Sequence, residues 1–182
     1  AATVVVEKMV GSLAEAGGSL EECKKLGDKV NKNSGSMGVA LTSCSVPAAG
    51  KPNFEIGDDE MEFGVGIHGE PGRRRDKIKS AQEITSELLE AINEDLKPES
   101  NEEILLFVNG MGGTPLTELY LIFDNAKNVL DKKNIKISRS LVGNYCTSLE
   151  MQGVSITLTK LDEELVKHWD SSVLTAAMRW GM

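Results

Sequence analysis

Apolar residues recur every three or four positions at the start of the chain, where Val6, Val10 and Leu13 share one side of a helix from about Thr3 to Ala16. Gly17-Gly18 ends it. Ser19-Leu20-Glu21-Glu22 has the spacing of a capping box, with the Ser19 hydroxyl and the Glu22 carboxylate placed to satisfy free N–H groups, and predicts a second helix to about Lys32. Ile78, Ala81, Ile84, Leu88 and Ile92 repeat the helical spacing and predict a helix to about Asp95; another is predicted from about Leu116 to Asp131. Asp162 can cap a short final helix, Glu163 to His168, before the tail from Trp169 to Met182.

Strand patterns fill the intervals. Met37 to Val46 combines small and β-branched residues with partial alternation and is closed by Pro47. Met61 to Ile67 is a short strand of apolar residues and glycines, after a loop over Ala48 to Asp59. Ile104 to Val108 is an apolar run too short for a helix, which suits a central strand buried on both faces. Ile135 to Val142 and Val154 to Leu161 alternate as half-buried strands do, with Gly143 to Ser148 connecting them. This order predicts an α/β domain of two layers, a mixed β-sheet covered by helices, in which sequence-adjacent strands without a crossover helix pair antiparallel.

The length of 182 residues suits one domain. No apolar run approaches the ~20 residues that cross a bilayer, and no basic segment or cleavage pattern marks a signal peptide, so a cytoplasmic location and no membrane partner are expected. A net charge of −8 repels a phosphate backbone and argues against nucleic acid as a partner. Cys23, Cys44 and Cys146 are odd in number and far apart, against a disulfide framework, and two histidines are too few for a His-based zinc site. Arg73, Arg74, Arg75, Lys77 and Lys79 form a basic cluster, read first as a solvated face and second as a docking patch for an acidic partner or a phosphate. The glycine loop Asn109 to Pro115 lacks both the lysine of a P-loop and the spacing of a dinucleotide fingerprint, so tight turn geometry is the reading. The chain begins Ala1-Ala2-Thr3, already in helical pattern and without a methionine, as a piece of a longer chain would, or one whose initiator methionine had been removed.

The sharpest chemical feature is the exit of the strand at Met61 to Ile67, which runs into His68-Gly69-Glu70-Pro71-Gly72. Gly64, Gly66, Gly69 and Gly72 remove Cβ atoms on both sides of the imidazole, and Pro71 stiffens the turn. Three roles are open to His68. It can hydrogen-bond a turn; it can act as a general base or metal ligand if Asp58, Asp59, Glu62 or Glu70 comes close; or its neutral nitrogen can add to a carbonyl and hold a small ketone as a hemiaminal.

Val39-Ala40-Leu41-Thr42-Ser43-Cys44-Ser45-Val46-Pro47, the segment from Gly57 through Gly-Ile-His-Gly-Glu-Pro-Gly to Gly72, and Gly143 to Met151 together resemble the substrate-binding subunit of dihydroxyacetone kinases. The likeness covers essentially the whole chain, as the C-terminal domain of that subunit over residues 1–182, with the N-terminal domain absent. It implies the second-domain fold of the dihydroxyacetone kinase and DegV-like architecture. It implies that His68 binds dihydroxyacetone covalently through Nε2, with Gly66 and Gly69 beside the substrate. The aspartate and histidine that activate the hydroxyl lie in the absent domain, so this piece alone is expected to be inactive as a phosphotransferase. No cofactor is implied in this chain; ADP or ATP with magnesium belongs to a nucleotide-binding partner subunit, recharged from phosphoenolpyruvate. A homodimer is also implied. The alternatives are a piece of a single-chain ATP-dependent kinase, or a non-catalytic dihydroxyacetone sensor that signals to a transcription regulator. Asn109-Gly110-Met111-Gly112 and Arg73 depart from the residues usual in relatives.

Overall fold

The computed structural model describes residues 1–66 and 72–181. In chain order their elements are α1 (Ala2–Glu15), α2 (Leu20–Lys32), β1 (Ser34–Ala40), β2 (Ser45–Val46), β3 (Lys51–Pro52), β4 (Glu60–Phe63), β5 (Arg74–Lys77), α3 (Ala81–Leu96), β6 (Glu103–Gly110), α4 (Leu116–Lys132), β7 (Lys136–Gly143), β8 (Gly153–Lys160), α5 (Glu163–Asp170), β9 (Val173–Leu174) and β10 (Arg179–Trp180).

Six strands form one sheet in the order β5-β4-β1-β8-β6-β7. All neighbours are antiparallel except β6 and β7, which are parallel because α4 carries the chain back between them. The apolar run of β6 explains the layering. Ile104, Leu106 and Val108 point into a core completed by α3 and α4 through Leu88, Leu89, Ile92, Leu119 and Ile122. Leu105 and Phe107 point the other way, into a core completed by α1, α2 and α5 through Val5, Met9, Val30, Leu165 and Trp169. The mixed sheet covered by helices is as the sequence implies, with cover on both faces and hence three layers where two were expected; a strand that is apolar at consecutive positions requires it.

Both capping boxes form where side chains allow. Ser19 and Glu22 close the start of α2 as predicted, and Ser80 and Glu83 do the same for α3, which therefore begins at Ala81 and leaves Ile78 outside it. The Asp162 carboxylate accepts from the Leu165 N–H at the start of α5.

Several boundaries differ from the sequence reading. β1 starts at Ser34 and stops at Ala40, and Ser45–Val46, the end of the expected strand, pairs separately with Lys51–Pro52 of the expected loop as a small hairpin. Residues 34–36 precede the strand expected from Met37, yet Ser34 and Ser36 lie opposite Thr159 and Thr157 and share hydroxyl hydrogen bonds of 2.8 and 2.9 Å with them. β4 ends at Phe63 because Gly64 turns away with φ 84°. Arg74, Arg75 and Lys77 of the basic cluster lie in edge strand β5, with Lys79 just beyond it; Arg75 pairs with Glu62, Lys77 with Asp59, and Arg74 and Lys79 with Asp76 and Glu87. β7 and β8 follow one another without a helix but do not pair, since β8 inserts between β1 and β6. The tail is also built in: Trp169 belongs to α5 and is fully buried, and β9 and β10 form a hairpin that sets Trp180 edge-on to it, centroids 5.9 Å apart. Among the described residues no helix is long and apolar enough to cross a membrane.

Candidate functional site

At the end of the sheet where β4 and β6 finish and β8 begins, a cavity of about 270 Å³ opens between strands. Its walls include Ser36 to Gly38 of β1, Asn109 of β6, Ser155 of β8, Cys146 to Ser148 of the connector after β7, and Gly64 to Gly66 after β4. These come from five separate parts of the chain, with glycines at 38, 64 and 66 among them.

Asn109 organises the polar wall. It is 1% exposed. Its Oδ1 accepts from the N–H groups of Tyr145 at 3.0 Å and Cys146 at 2.9 Å, while Nδ2 donates to the Cys146 carbonyl at 2.9 Å and to the Ser155 Oγ at 3.3 Å. An amide is the side chain that can do both at once, since it carries an acceptor and two donors on one plane. The connector is pinned again when the Ser148 N–H donates to the Met111 carbonyl at 2.8 Å, with the Ser148 hydroxyl 3.3 Å from the Cys44 thiol. Thr114 fixes the start of β8, donating to the Gly153 carbonyl and accepting from its N–H, both at 2.8 Å.

The glycine loop after β6 is a packing device. Its amides are spent inside the protein: Met111 N–H on the Gly153 carbonyl, Gly112 N–H on the Asn144 Oδ1, and Gly113 N–H on the Met151 carbonyl. Gly112 has φ 120°, and any Cβ there would run into the Leu149 carbonyl. No array of free amides remains to cradle a phosphate, in keeping with the turn reading.

Of the residues singled out in the sequence, Gly66 lies on the cavity wall together with Gly64 and Val65. His68, Gly69 and Glu70 lie outside the described residues. Two carboxylates considered as partners for the imidazole are engaged elsewhere. Asp59 pairs with Lys77 at 2.5 Å. Glu62 accepts from Arg75 Nη2 at 2.8 Å and from the Gly72 N–H at 3.0 Å, and the Arg75 guanidinium holds its carboxyl below the usual range against an opposing burial effect. The second histidine, His168, is buried between α1 and α5, away from the cavity walls, with Nδ1 3.0 Å from the Ser12 hydroxyl.

The sequence reading missed the polar wall. Ser36, Asn109, Ser148 and Ser155 are hydroxyl and amide residues in or beside strands, and the clearest signal was Ser155, polar between Val154 and Ile156.

Comparison with known proteins decides the family. The Dak1 domain family matches residues 1–177. This chain belongs to it. Among curated Dak1 relatives, the dihydroxyacetone-binding subunit of the PTS-dependent dihydroxyacetone kinase 1 of Listeria innocua is 46% identical over 164 residues, covering 90% of this chain and 50% of that protein. The dihydroxyacetone-binding subunit of the PEP-dependent dihydroxyacetone kinase of Escherichia coli is 40% identical, covering 98% of this chain and 57% of that protein. The Dak1 chain described here thus spans about half the length of these relatives. Among solved structures, a dihydroxyacetone kinase operon co-activator superposes with a TM-score of 0.86 at 31% identity, covering 93% of this chain and 53% of that one.

Proposed function

We propose that this Dak1 chain is the C-terminal domain of a dihydroxyacetone-binding kinase subunit and that His68 holds the substrate as a hemiaminal. The observation that carries the reading is positional: Gly64 to Gly66 line the cavity, and His68 follows two residues later in a chain 46% identical to a dihydroxyacetone-binding subunit.

The chemistry needs no resident cofactor. The neutral imidazole adds its Nε2 lone pair to the ketone carbon, the carbonyl oxygen takes up a proton, and the Nδ1 proton leaves to solvent, so the sum is an addition across C=O. The addition needs the neutral ring, the form that a free imidazole of pKa ~6.5 mostly takes near pH 7. Anchoring the acceptor removes its translational freedom before phosphoryl transfer, which is mostly positioning and charge stabilisation. The bond also selects for a carbonyl, so glycerol is excluded by chemistry where shape alone would discriminate poorly. In this reading the absent N-terminal domain supplies the aspartate and histidine that activate the hydroxyl. A nucleotide-bearing subunit with magnesium delivers the phosphoryl group, drawn ultimately from phosphoenolpyruvate, and the assembly is a cytoplasmic homodimer. The glycine loop with its amides already bonded fits a nucleotide held elsewhere.

The test uses the full-length protein and dihydroxyacetone labelled with carbon-13 at the carbonyl. The ketone resonance moves to a hemiaminal position in the wild type and stays at the free position in His68→Ala. A hemiaminal signal that survives His68→Ala defeats the assignment. The likeness to the operon co-activator favours a second reading, a dihydroxyacetone-sensing regulator. Formation of dihydroxyacetone phosphate with a nucleotide-bearing subunit separates the two, since a sensor yields none.

A further inference from the structure

Ser36, Ser148 and Ser155 lie on the polar wall of the cavity, and the first two spend their hydroxyls inside the protein. Ser36 Oγ is 2.9 Å from the Thr157 hydroxyl and accepts from the Ala1 nitrogen at 2.6 Å. Ser148 Oγ lies 3.3 Å from the Cys44 thiol. Ser155 differs. It is 8% exposed, on the strand between β1 and β6, and Asn109 decides what its hydroxyl can do. The Asn109 amide is fully engaged: Oδ1 takes the Tyr145 and Cys146 N–H groups, one Nδ2 proton goes to the Cys146 carbonyl, and the other goes to Ser155 Oγ at 3.3 Å. The two backbone donors exclude the flipped amide, so Ser155 accepts from Asn109 and has nothing there to donate to. Among the described residues the Ser155 hydroxyl makes no other hydrogen bond. Its proton is left for an acceptor in the cavity.

The neighbours of Ser155 keep that proton reachable. Gly38 faces Ser155 across the pairing of β1 with β8, and a Cβ on Gly38 would stand 3.4 Å from the Ser155 Cβ and 3.0 Å from the Met111 Cε, crowding the space beside the hydroxyl. The rest of the lining sets the class of ligand. No lysine, arginine, histidine, aspartate or glutamate is among the described residues of the wall, so a charged group bound against it would lack a counter-charge. An uncharged oxygen suits it, on a molecule small enough for a cavity of about 270 Å³. We propose that Ser155 is a specificity-determining residue, its hydroxyl donating to a hydroxymethyl oxygen of dihydroxyacetone. The proposal rests on the reading that this cavity takes dihydroxyacetone. That reading commits the ketone carbon to a covalent bond, which leaves the hydroxymethyl groups as the part of the molecule that a neutral wall can recognise.

The experiment titrates dihydroxyacetone into the full-length protein by calorimetry. Ser155→Ala is expected to bind it about five- to tenfold more weakly, the effect of one neutral hydrogen bond. Ser34→Ala removes a different hydroxyl bond of the same β1–β8 ladder, away from the cavity walls, and is expected to stay within about twofold of the wild type. Wild-type affinity in Ser155→Ala overturns the proposal. So does an equal loss in both variants, which assigns the effect to the pairing of the strands. A wild type that binds no dihydroxyacetone overturns the functional reading and this proposal with it, a result distinct from the other two. Nuclear magnetic resonance on the unsubstituted protein is a check independent of variant folding. The Ser155 amide resonance is expected to move as dihydroxyacetone is added, and a resonance that stays in place at saturation overturns the proposal.

Discussion

The side chain of Asn109 grips both backbone groups of Cys146, accepting from its N–H at 2.9 Å and donating to its carbonyl at 2.9 Å. One amide thereby sets the course of the connector that forms the polar wall of the cavity. Asn109→Ala leaves the Tyr145 and Cys146 amides and the Cys146 carbonyl without that partner. The expected loss is on the order of 2–4 kcal/mol, read as a lower urea midpoint. Asn109→Asp keeps both accepted bonds but turns a second oxygen on the Cys146 carbonyl, so it too is destabilising. A midpoint unchanged in both variants would show that the connector holds its own shape.

Stability falls as the solution is acidified below about pH 6.5, with His168 responsible for the first part of the loss. Burial, with Lys167 adding to it and Glu164 opposing, lowers the His168 pKa from its ordinary 6.5. The Ser12 hydroxyl donates to Ser171 at 2.9 Å, and Ser171 donates to the Lys167 carbonyl at 2.9 Å, so the imidazole contributes the Nδ1 proton to Ser12. The unfolded chain takes up a proton at the ordinary value and the folded chain only at a lower pH. Between the two values the unfolded state binds more protons, and stability drops with pH. The shifted carboxylates, Glu62 and Asp170 among them, start from ordinary values of 4.5 and 3.8 and act at lower pH. Denaturation midpoints from pH 7.5 to 5 should slope downward, and His168→Gln should flatten the upper part of that slope.

Removing the Ser80 hydroxyl tests how α3 begins. Ser80 accepts from the Glu83 N–H, and Glu83 returns to the Ser80 N–H at 3.0 Å. Ser80→Ala is expected to cost about 1 kcal/mol in chemical denaturation. Ser19→Ala, at the matching position of α2, should cost a similar amount.

Trp180→Ala leaves Trp169 as the sole tryptophan and strips one side of its environment. Emission from the remaining indole should shift to longer wavelength, with about 0.5–1.5 kcal/mol lost beyond the area buried. Unshifted emission would place the final hairpin away from α5 in solution.

Local signals carried well from sequence to structure, and long-range ones did not. The capping box at Ser19, the buried run of β6 and the Asp162 cap are each decided by a few neighbouring residues, so their spacing sufficed. β1 began early because its serines find hydroxyl partners on β8, more than a hundred residues away, which no local window contains. β5 read as a charged flank because its strand pairing is set by Asp59, Glu60 and Glu62 on the neighbouring strand and turn. The candidate site divides the same way. Gly66 stood out through a local glycine pattern, whereas Ser36, Asn109, Cys146 and Ser155 acquire their common purpose only when four distant segments converge.

The place of β8 also bears on how the chain is made. It is the last strand of the main sheet to leave the ribosome, yet it fills the gap between β1 and β6. Until residues 153–160 emerge, β1 and β6 each present an open edge, and the nascent chain holds two sheet fragments that cannot join. The whole core thus waits on its late central strand. A pause or truncation before Gly153 leaves the nascent chain with two adhesive edges and makes it a natural client for chaperones that shield unpaired strands.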